Sequence, residues 1–178
     1  TEEITVQHVM DVIFEKTSSE LWDAGRNSAL KAVNVACYYG CQYTRPWITG
    51  PESDRPEYME TFISGLGFNA INHSAKTICC GAAGAMRNAG IATTLVGRIT
   101  DTVISHNADA IITICPLCQF NVDSYQTRPD TKKVPVLFFS QLLGLYLDIA
   151  PDQLGMDKLL NDADGLIKKM ETLKAVRS

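Results

Sequence analysis

The stretch ADAIITICPLC, residues 108–118, decides the fold of this chain. Its apolar run is uninterrupted by polar alternation, which is typical of a central parallel strand that is buried on both faces. The proline after it suits the first turn of a helix, so the strand is expected to lead directly into a helix. The junction between these two elements carries two cysteines, Cys115 and Cys118.

Strand and helix signals alternate along the rest of the chain, as they do in an α/β domain. The fold class is therefore α/β, with a mostly parallel open sheet flanked by helices, and residues 1–178 are expected to form a single domain. Beside the central strand, we predict strands at residues 31–39, 68–73 and 134–139, and helices at residues 1–22, 55–67 (capped by Asp54), 84–107, 116–126, 140–149 and over most of the stretch after Pro151.

The composition limits the class of protein. With 46% hydrophobic and 20% charged residues, a chain of 178 residues can bury a core without covalent cross-links. The net charge of -4 and the lack of a long basic run argue against a nucleic-acid partner. Since no apolar run approaches about 20 residues and no secretory signal is found, we expect a cytoplasmic protein that meets a membrane only through partners.

Six cysteines could form disulfides or serve metal or redox chemistry, and the expected location favours the second use. Cys41 follows the first predicted strand, and the adjacent pair Cys79 and Cys80 follows the second. Cys115 and Cys118 follow the third. The carboxyl ends of strands in a parallel sheet share one edge, where binding sites are built. We therefore expect the cluster site at the C-terminal ends of the strands, with five thiols in one place.

The number of thiols limits which kind of metal centre they can bind. A structural zinc ion takes four ligands, and a cubane [4Fe–4S] cluster also takes four. Five cysteines with two adjacent suit a cluster of unusual shape in which one thiolate bridges two irons. The small residues GAAGA, 81–85, would let the backbone approach the sulfurs, and the predicted long helix would point its positive end at them. The alternative for this stretch is tight packing around inert buried thiols.

The motifs CYYGCQYTRP (37–46), CCGAAG (79–84) and CPLCQFNVD (115–123), in this order, resemble the CCG cysteine-rich domain of the B-type subunit of heterodisulfide reductase and its relatives. The spacings are 37 residues between Cys41 and Cys79 and 34 between Cys80 and Cys115, the second slightly short for the family. The resemblance implies that a noncubane [4Fe–4S] cluster is held, and the redox chemistry carried, by Cys41, Cys79, Cys80, Cys115 and Cys118.

The same resemblance implies an oxidoreductase acting on sulfur groups. Electrons would pass between a disulfide or thiol substrate and partner subunits, namely a ferredoxin-like iron–sulfur subunit (C type) and a flavin subunit (A type). Family subunits usually carry two such domains in tandem. We therefore expect residues 1–178 to be the C-terminal half of a longer two-module subunit.

Two other interpretations remain open at the level of sequence. One is a zinc-binding structural or interaction domain that uses four of the same cysteines. The other is a metal-free dithiol oxidoreductase that uses Cys115 and Cys118, in which the start of the helix lowers the pKa of one thiol.

The sixth cysteine, Cys37, lies inside the first predicted strand, about 13 Å from Cys41 along an extended backbone. We expect it to be a small buried hydrophobe rather than a ligand. The remaining candidates flank the cysteine segments and could approach the site, pack elsewhere or stay solvated: His8, His73, His106, Arg45, Lys76, Arg87, Tyr38, Tyr39 and Tyr43.

Overall fold

The strands form one parallel sheet, in which the strand order is β2-β1-β3-β4. The computed structural model describes residues 4, 6–16, 29–41, 44 and 55–176. Every strand of the sheet was predicted from the sequence, and the α/β fold class is confirmed. The strands are β1 Asn34–Tyr38, β2 Asn69–Ile71, β3 Ala110–Thr113 and β4 Val136–Phe138.

Helices connect and cover these strands. Within the described ranges, none of them has the length and apolar character that a membrane crossing requires. The α-helices are α1 Val9–Lys16, α2 Tyr58–Gly65, α3 Ala82–Ala85, α4 Ala89–Ser105, α5 Pro116–Ser124, α6 Phe139–Tyr146 and α7 Asp164–Ala175, and short 3-10 helices lie at Ala29–Ala32 and Met156–Lys158.

The sheet has a hydrophobic core on each face, which explains why its central strands carry no polar alternation. Because successive side chains of a strand point to opposite faces, β1 divides its residues between the two cores. Cys37 and Tyr39 pack on the face covered by α2, α6 and α7. Ala36 and Tyr38 pack on the opposite face, against α4 and α5.

The predicted long helix over residues 84–107 is interrupted. Asn88 begins α4 as its N-cap, and its side-chain oxygen accepts a hydrogen bond from the Gly90 N–H at 3.1 Å. The helix that begins beside the adjacent cysteines is therefore α3, which has only four residues. The predicted start of the long helix at residue 84 is wrong, because α4 begins at Ala89.

The other predicted boundaries differ by a few residues. Strand β1 begins at Asn34 rather than at residue 31, because Ala29–Ala32 forms a 3-10 helix. Helix α1 covers the middle of the predicted N-terminal helix. The proposed Asp54 cap lies outside the described residues.

A buried ion pair ties the loop after β2 to α2 and to the end of β1. Lys76 is 6% exposed, and its ammonium nitrogen lies 2.7 Å from Glu60 Oε1. Glu60 Oε2 accepts a hydrogen bond from the Tyr39 hydroxyl at 2.6 Å. The Lys76 carbonyl accepts from the N–H groups of Tyr39 at 2.9 Å and Gly40 at 3.1 Å. Lys76 is thus neither a solvated charge nor free to bind a substrate.

We predict that Lys76→Met lowers the free energy of unfolding by about 3–5 kcal/mol, because it leaves the Glu60 carboxylate buried without its partner. Urea unfolding followed by circular dichroism measures the change. The exposed Lys132→Met is the matched control and should stay within about 0.5 kcal/mol of the parent. Adding Glu60→Gln to Lys76→Met should recover part of the loss. Equal stability of the two lysine variants would contradict the role of the pair.

Candidate functional site

Three loops bring the predicted cysteines to the carboxyl edge of the sheet. Cys41 lies three residues after the end of β1. Cys79 and Cys80 lie between β2 and the start of α3. Cys115 is the N-cap of α5, and Cys118 lies in the first turn of that helix.

The thiols of the three loops lie near one another at this edge and influence one another electrostatically. The sulfur atoms of Cys80 and Cys118 are 3.7 Å apart. Cys118 also hydrogen bonds with the thiol of Cys115. On the other side of the pair, Cys79 hydrogen bonds with the thiol of Cys41, which also interacts with Cys80. The structure therefore joins residues that are up to 77 positions apart in the sequence into a single group.

Two glycines let the backbone come close to this group. Gly40 has φ +67°, and a Cβ atom there would lie 2.9 Å from the Cys118 sulfur. Both the backbone conformation and the space exclude a larger residue. Gly81 has φ +80°, and its N–H donates to the Cys79 sulfur at 3.4 Å. The prediction that the small residues 81–85 let the backbone approach sulfur is correct at Gly81, whereas Gly40 lies outside that stretch.

The cysteines differ in thiol pKa because they hydrogen bond to one another and are buried. The hydrogen bond between Cys80 and Cys118 lowers the pKa of Cys80 to about 6, opposed by burial and helped by the Ala82 N–H and the nearby Tyr38 hydroxyl. The same hydrogen bond, together with burial, raises the pKa of Cys118. Burial and the neighbouring Cys79 raise the pKa of Cys41. Among these three, Cys80 is the thiol that is ionised at neutral pH.

Tyr38, one of the aromatic candidates from the sequence, is part of the site. Its side chain is fully buried, and its hydroxyl donates to the Ile78 carbonyl at 2.6 Å. Burial, and after it the proximity of four thiols, raises the pKa of the phenol; the thiols are Cys118, Cys80, Cys79 and Cys41. The signal was present in the alternation of β1, which turns Tyr38 to the face opposite Cys37.

Asn121 belongs to the surroundings of the thiols as well, although the sequence analysis did not single it out. Its side-chain amide is buried and donates to the Cys80 carbonyl at 2.7 Å. Two positions further along α5, the buried Asp123 accepts from the N–H groups of Leu160 at 2.7 Å and Asn161 at 3.3 Å. The side chains of Asn121 and Asp123 thus hydrogen bond the helix that carries Cys118 to neighbouring segments.

The remaining cysteine and the histidines lie outside the thiol group. Cys37 is fully buried on the other face of the sheet, where desolvation raises its pKa. The ring of His73 lies 3.0 Å from the Cys37 carbonyl, and burial lowers its pKa to about 4. His106 is exposed at the end of α4, and His8 precedes α1.

Several of the predicted basic and aromatic candidates also lie outside the thiol group. Lys76 is engaged with Glu60, and Arg87 is exposed. Tyr39 packs on the face of the sheet away from the thiols. Arg45 and Tyr43 lie outside the described residues.

We predict that metal-free protein shows one thiol that ionises at about pH 6, below which Cys80 is protonated and above which it is a thiolate. The ultraviolet absorbance of thiolates, recorded against pH, detects this step. Cys80→Ala should abolish it, and Cys118→Ala should move it towards the ordinary thiol value of about 8.5, because the main hydrogen-bond donor is lost. Cys37→Ala is the control and should leave it in place. Persistence of the step in Cys80→Ala would assign it to another thiol.

Comparison with known proteins supports the resemblance. The family model described as CCG, cysteine-rich domain, matches residues 35–123, which is half of the chain. The chain is 28% identical over 162 residues to the B-type subunit of the Ferredoxin/F(420)H(2)-dependent CoB-CoM heterodisulfide reductase of Methanosarcina acetivorans, an alignment that covers 86% of this chain and 54% of the relative. It is 26% identical to the B-type subunit of the Ferredoxin:CoB-CoM heterodisulfide reductase of Methanosarcina mazei, with the same coverage of 86% and 54%.

A third relative belongs to a different reductase. The chain is 32% identical over 144 residues to the 8-methylmenaquinol:fumarate reductase membrane anchor subunit of Wolinella succinogenes, which covers 77% of this chain and 51% of the relative. The chain thus spans about half the length of each of these three relatives.

Proposed function

The chain belongs to the CCG cysteine-rich domain family, and from this membership and the geometry of its thiols we propose that it is an iron–sulfur redox domain of an oxidoreductase. The observation that carries the proposal is the approach of thiols from three loops to one edge of the sheet, where the sulfurs of Cys80 and Cys118 are 3.7 Å apart. The ligands of a noncubane [4Fe–4S] cluster would be Cys41, Cys79, Cys80, Cys115 and Cys118.

The side chains fit such a group by their chemistry. Among the described residues, no three Cys, His, Asp or Glu side chains are arranged to hold a metal ion, and the thiols contact one another instead. The 3.7 Å between the sulfurs of Cys80 and Cys118 is close to the spacing of about 3.8 Å that two thiolates adopt on one tetrahedral metal at 2.3 Å each. Gly40 leaves room beside Cys118, where a side chain would collide.

An iron–sulfur group supplies one-electron transfer at this site. The residues around it would set its environment. Cys80 brings a negative charge at neutral pH, and Cys80 and Cys118 are buried away from water. Cys79 is exposed, and Cys41 and Cys115 are half-buried, so a substrate would approach from the side of these three. We propose that this substrate is a disulfide or its thiols.

Partner subunits are a further part of the proposal. The relatives from Methanosarcina carry names of subunits of reductases that act on the CoB-CoM heterodisulfide with ferredoxin as a donor. We propose that this chain is one half of a two-module subunit. It would exchange electrons with a ferredoxin-like iron–sulfur subunit and a flavin subunit in the cytoplasm. The Wolinella relative is named as a membrane anchor, which supports membrane association through such partners.

A zinc-binding domain is the second candidate, and the spacing between Cys80 and Cys118 suits it equally well. A metal-free dithiol enzyme is less well supported. That chemistry needs a thiol of lowered pKa in the CPLC motif. The pKa of Cys118 is instead raised, and the thiol with a lowered pKa is Cys80 in another loop.

We predict that protein prepared without oxygen, with iron and sulfide supplied, carries about four irons and four sulfides per chain. Visible absorption from the cluster should be lost in air. Metal and acid-labile sulfide analysis of one sample separates the three candidates, because a zinc domain would hold zinc without sulfide and a dithiol enzyme would hold neither. Protein that takes up only zinc under these conditions would overturn the proposal.

We predict that Cys41→Ala loses or distorts the cluster, whereas Cys37→Ala retains full iron content and absorption. Cys37 lies on the opposite face of the sheet, so its loss should cost only about 1 kcal/mol through a small cavity. Iron content and the visible spectrum of the two variants, prepared side by side, give the comparison. The reverse behaviour would show that the first loop supplies its sulfur from Cys37.

A further inference from the structure

The Cys79–Cys80 loop, residues 78–81, is held by side chains from both of the other cysteine-bearing segments. The Ile78 carbonyl accepts from the hydroxyl of Tyr38, which lies three residues before Cys41. The Cys80 carbonyl accepts from the amide of Asn121, which lies three residues after Cys118. The two bonds are 2.6 and 2.7 Å long and lie on either side of Cys79 in the sequence.

Both donors are inaccessible to water. Tyr38 is 0% exposed and Asn121 is 3% exposed. A buried polar group left without a partner is strongly unfavourable, so each carbonyl has a strong preference for the position at which it meets its donor. The loop therefore has its backbone fixed at two points, one relative to β1 and one relative to α5.

The Tyr38 hydroxyl also lies near the sulfur atoms themselves. Its single O–H proton is donated to the Ile78 carbonyl, and its proximity adds to the hydrogen bond with Cys118 in lowering the pKa of the Cys80 thiol. A Cβ atom on Gly40 would lie 3.6 Å from this hydroxyl and 2.9 Å from the Cys118 sulfur, so the phenol lies beside the thiols. The polar surroundings of the sulfurs are among the factors that set the potential of an iron–sulfur centre.

We propose that Tyr38 and Asn121 are positioning residues, which hold the Cys79–Cys80 loop at the distance from Cys41 and Cys118 that a shared iron–sulfur group requires. This inference rests on the proposed function for its consequence at the cluster. Its structural part, the fixing of the loop, concerns the protein with or without the group. Tyr38 also places its hydroxyl group beside the Cys80 thiol.

The chain contains a matched control for each residue. Tyr39 is the next residue of the segment and is equally buried, but its hydroxyl bonds to Glu60 and to the Met59 N–H on the other face of the sheet. Gln126 follows α5 and is 8% exposed, and its side chain pairs with both backbone groups of Val134, away from the cysteine loops. Each control loses buried hydrogen bonds without touching the Cys79–Cys80 loop.

The experiment compares Tyr38→Phe and Asn121→Leu with Tyr39→Phe and Gln126→Leu. Amide hydrogen exchange of metal-free protein measures the stability of residues 78–84, where about fivefold faster exchange is expected from the loss of one hydrogen bond. Iron content, visible absorption and reduction potential are then measured after anaerobic loading. Tyr38→Phe should change the reduction potential, because the loop that carries Cys79 and Cys80 loses one of its two fixed points. Asn121→Leu should reduce the iron content.

These measurements separate failure of the inference from failure of the proposed function. Faster exchange confined to the Tyr38 and Asn121 variants supports the fixing of the loop even if no variant binds iron, in which case the proposed function fails alone. Equal exchange in all four variants overturns the inference. It is also overturned if the loop loosens while iron content, spectrum and potential match the controls. If Asn121→Leu does not fold, Tyr38→Phe decides, because it removes a single oxygen atom.

Discussion

Parallel pairing of β1 with β3 is the constraint on which the site depends. The register pairs Val35 with Ala110 at one end and Tyr38 with Thr113 at the other, so both strands finish at the same level. The chain leaves β1 towards Cys41 and leaves β3 towards Cys115 from adjacent positions on one edge. A shift of one residue in this register would turn every side chain of a strand to the other face, including Tyr38, and would separate it from the thiols.

The alternating direction of side chains along β1 and the residue after it explains why the adjacent Tyr38 and Tyr39 join different hydrogen-bond networks. Tyr38 points to the face covered by α4 and α5, where the thiols of Cys80 and Cys118 are packed. Tyr39 points to the other face and joins the buried pair of Lys76 and Glu60. The two networks meet at the backbone, because the Lys76 carbonyl holds the N–H of Gly40 immediately before Cys41. The Lys76 backbone, rather than the Tyr39 hydroxyl, is thus the link to the segment that precedes Cys41.

The strands and the approach of the cysteine loops to one edge could be predicted from the sequence, because both follow from local runs of residues that favour the same secondary structure. The sequence was insufficient where the outcome depends on contacts between distant segments. The bonds of Tyr38 to Ile78 and of Asn121 to Cys80 span 40 and 41 residues, and no local pattern encodes them. The burial of Lys76 beside Glu60 likewise depends on a contact between separate segments, which no local pattern encodes. The interruption before α4 could be predicted, since Asn88 is a preferred N-cap residue that the apolar periodicity concealed.

The adjacency of Cys79 and Cys80 now has a structural explanation. One residue of the pair is exposed and the other is buried, so the loop directs their sulfurs to different neighbours. Cys79 contacts Cys41 of the first loop, and Cys80 contacts Cys118 of the third. A single cysteine at this position could reach one loop or the other, and the thiols would then fall into two groups. Two consecutive cysteines connect both loops through one backbone segment, which is also the segment that Tyr38 and Asn121 hold in place.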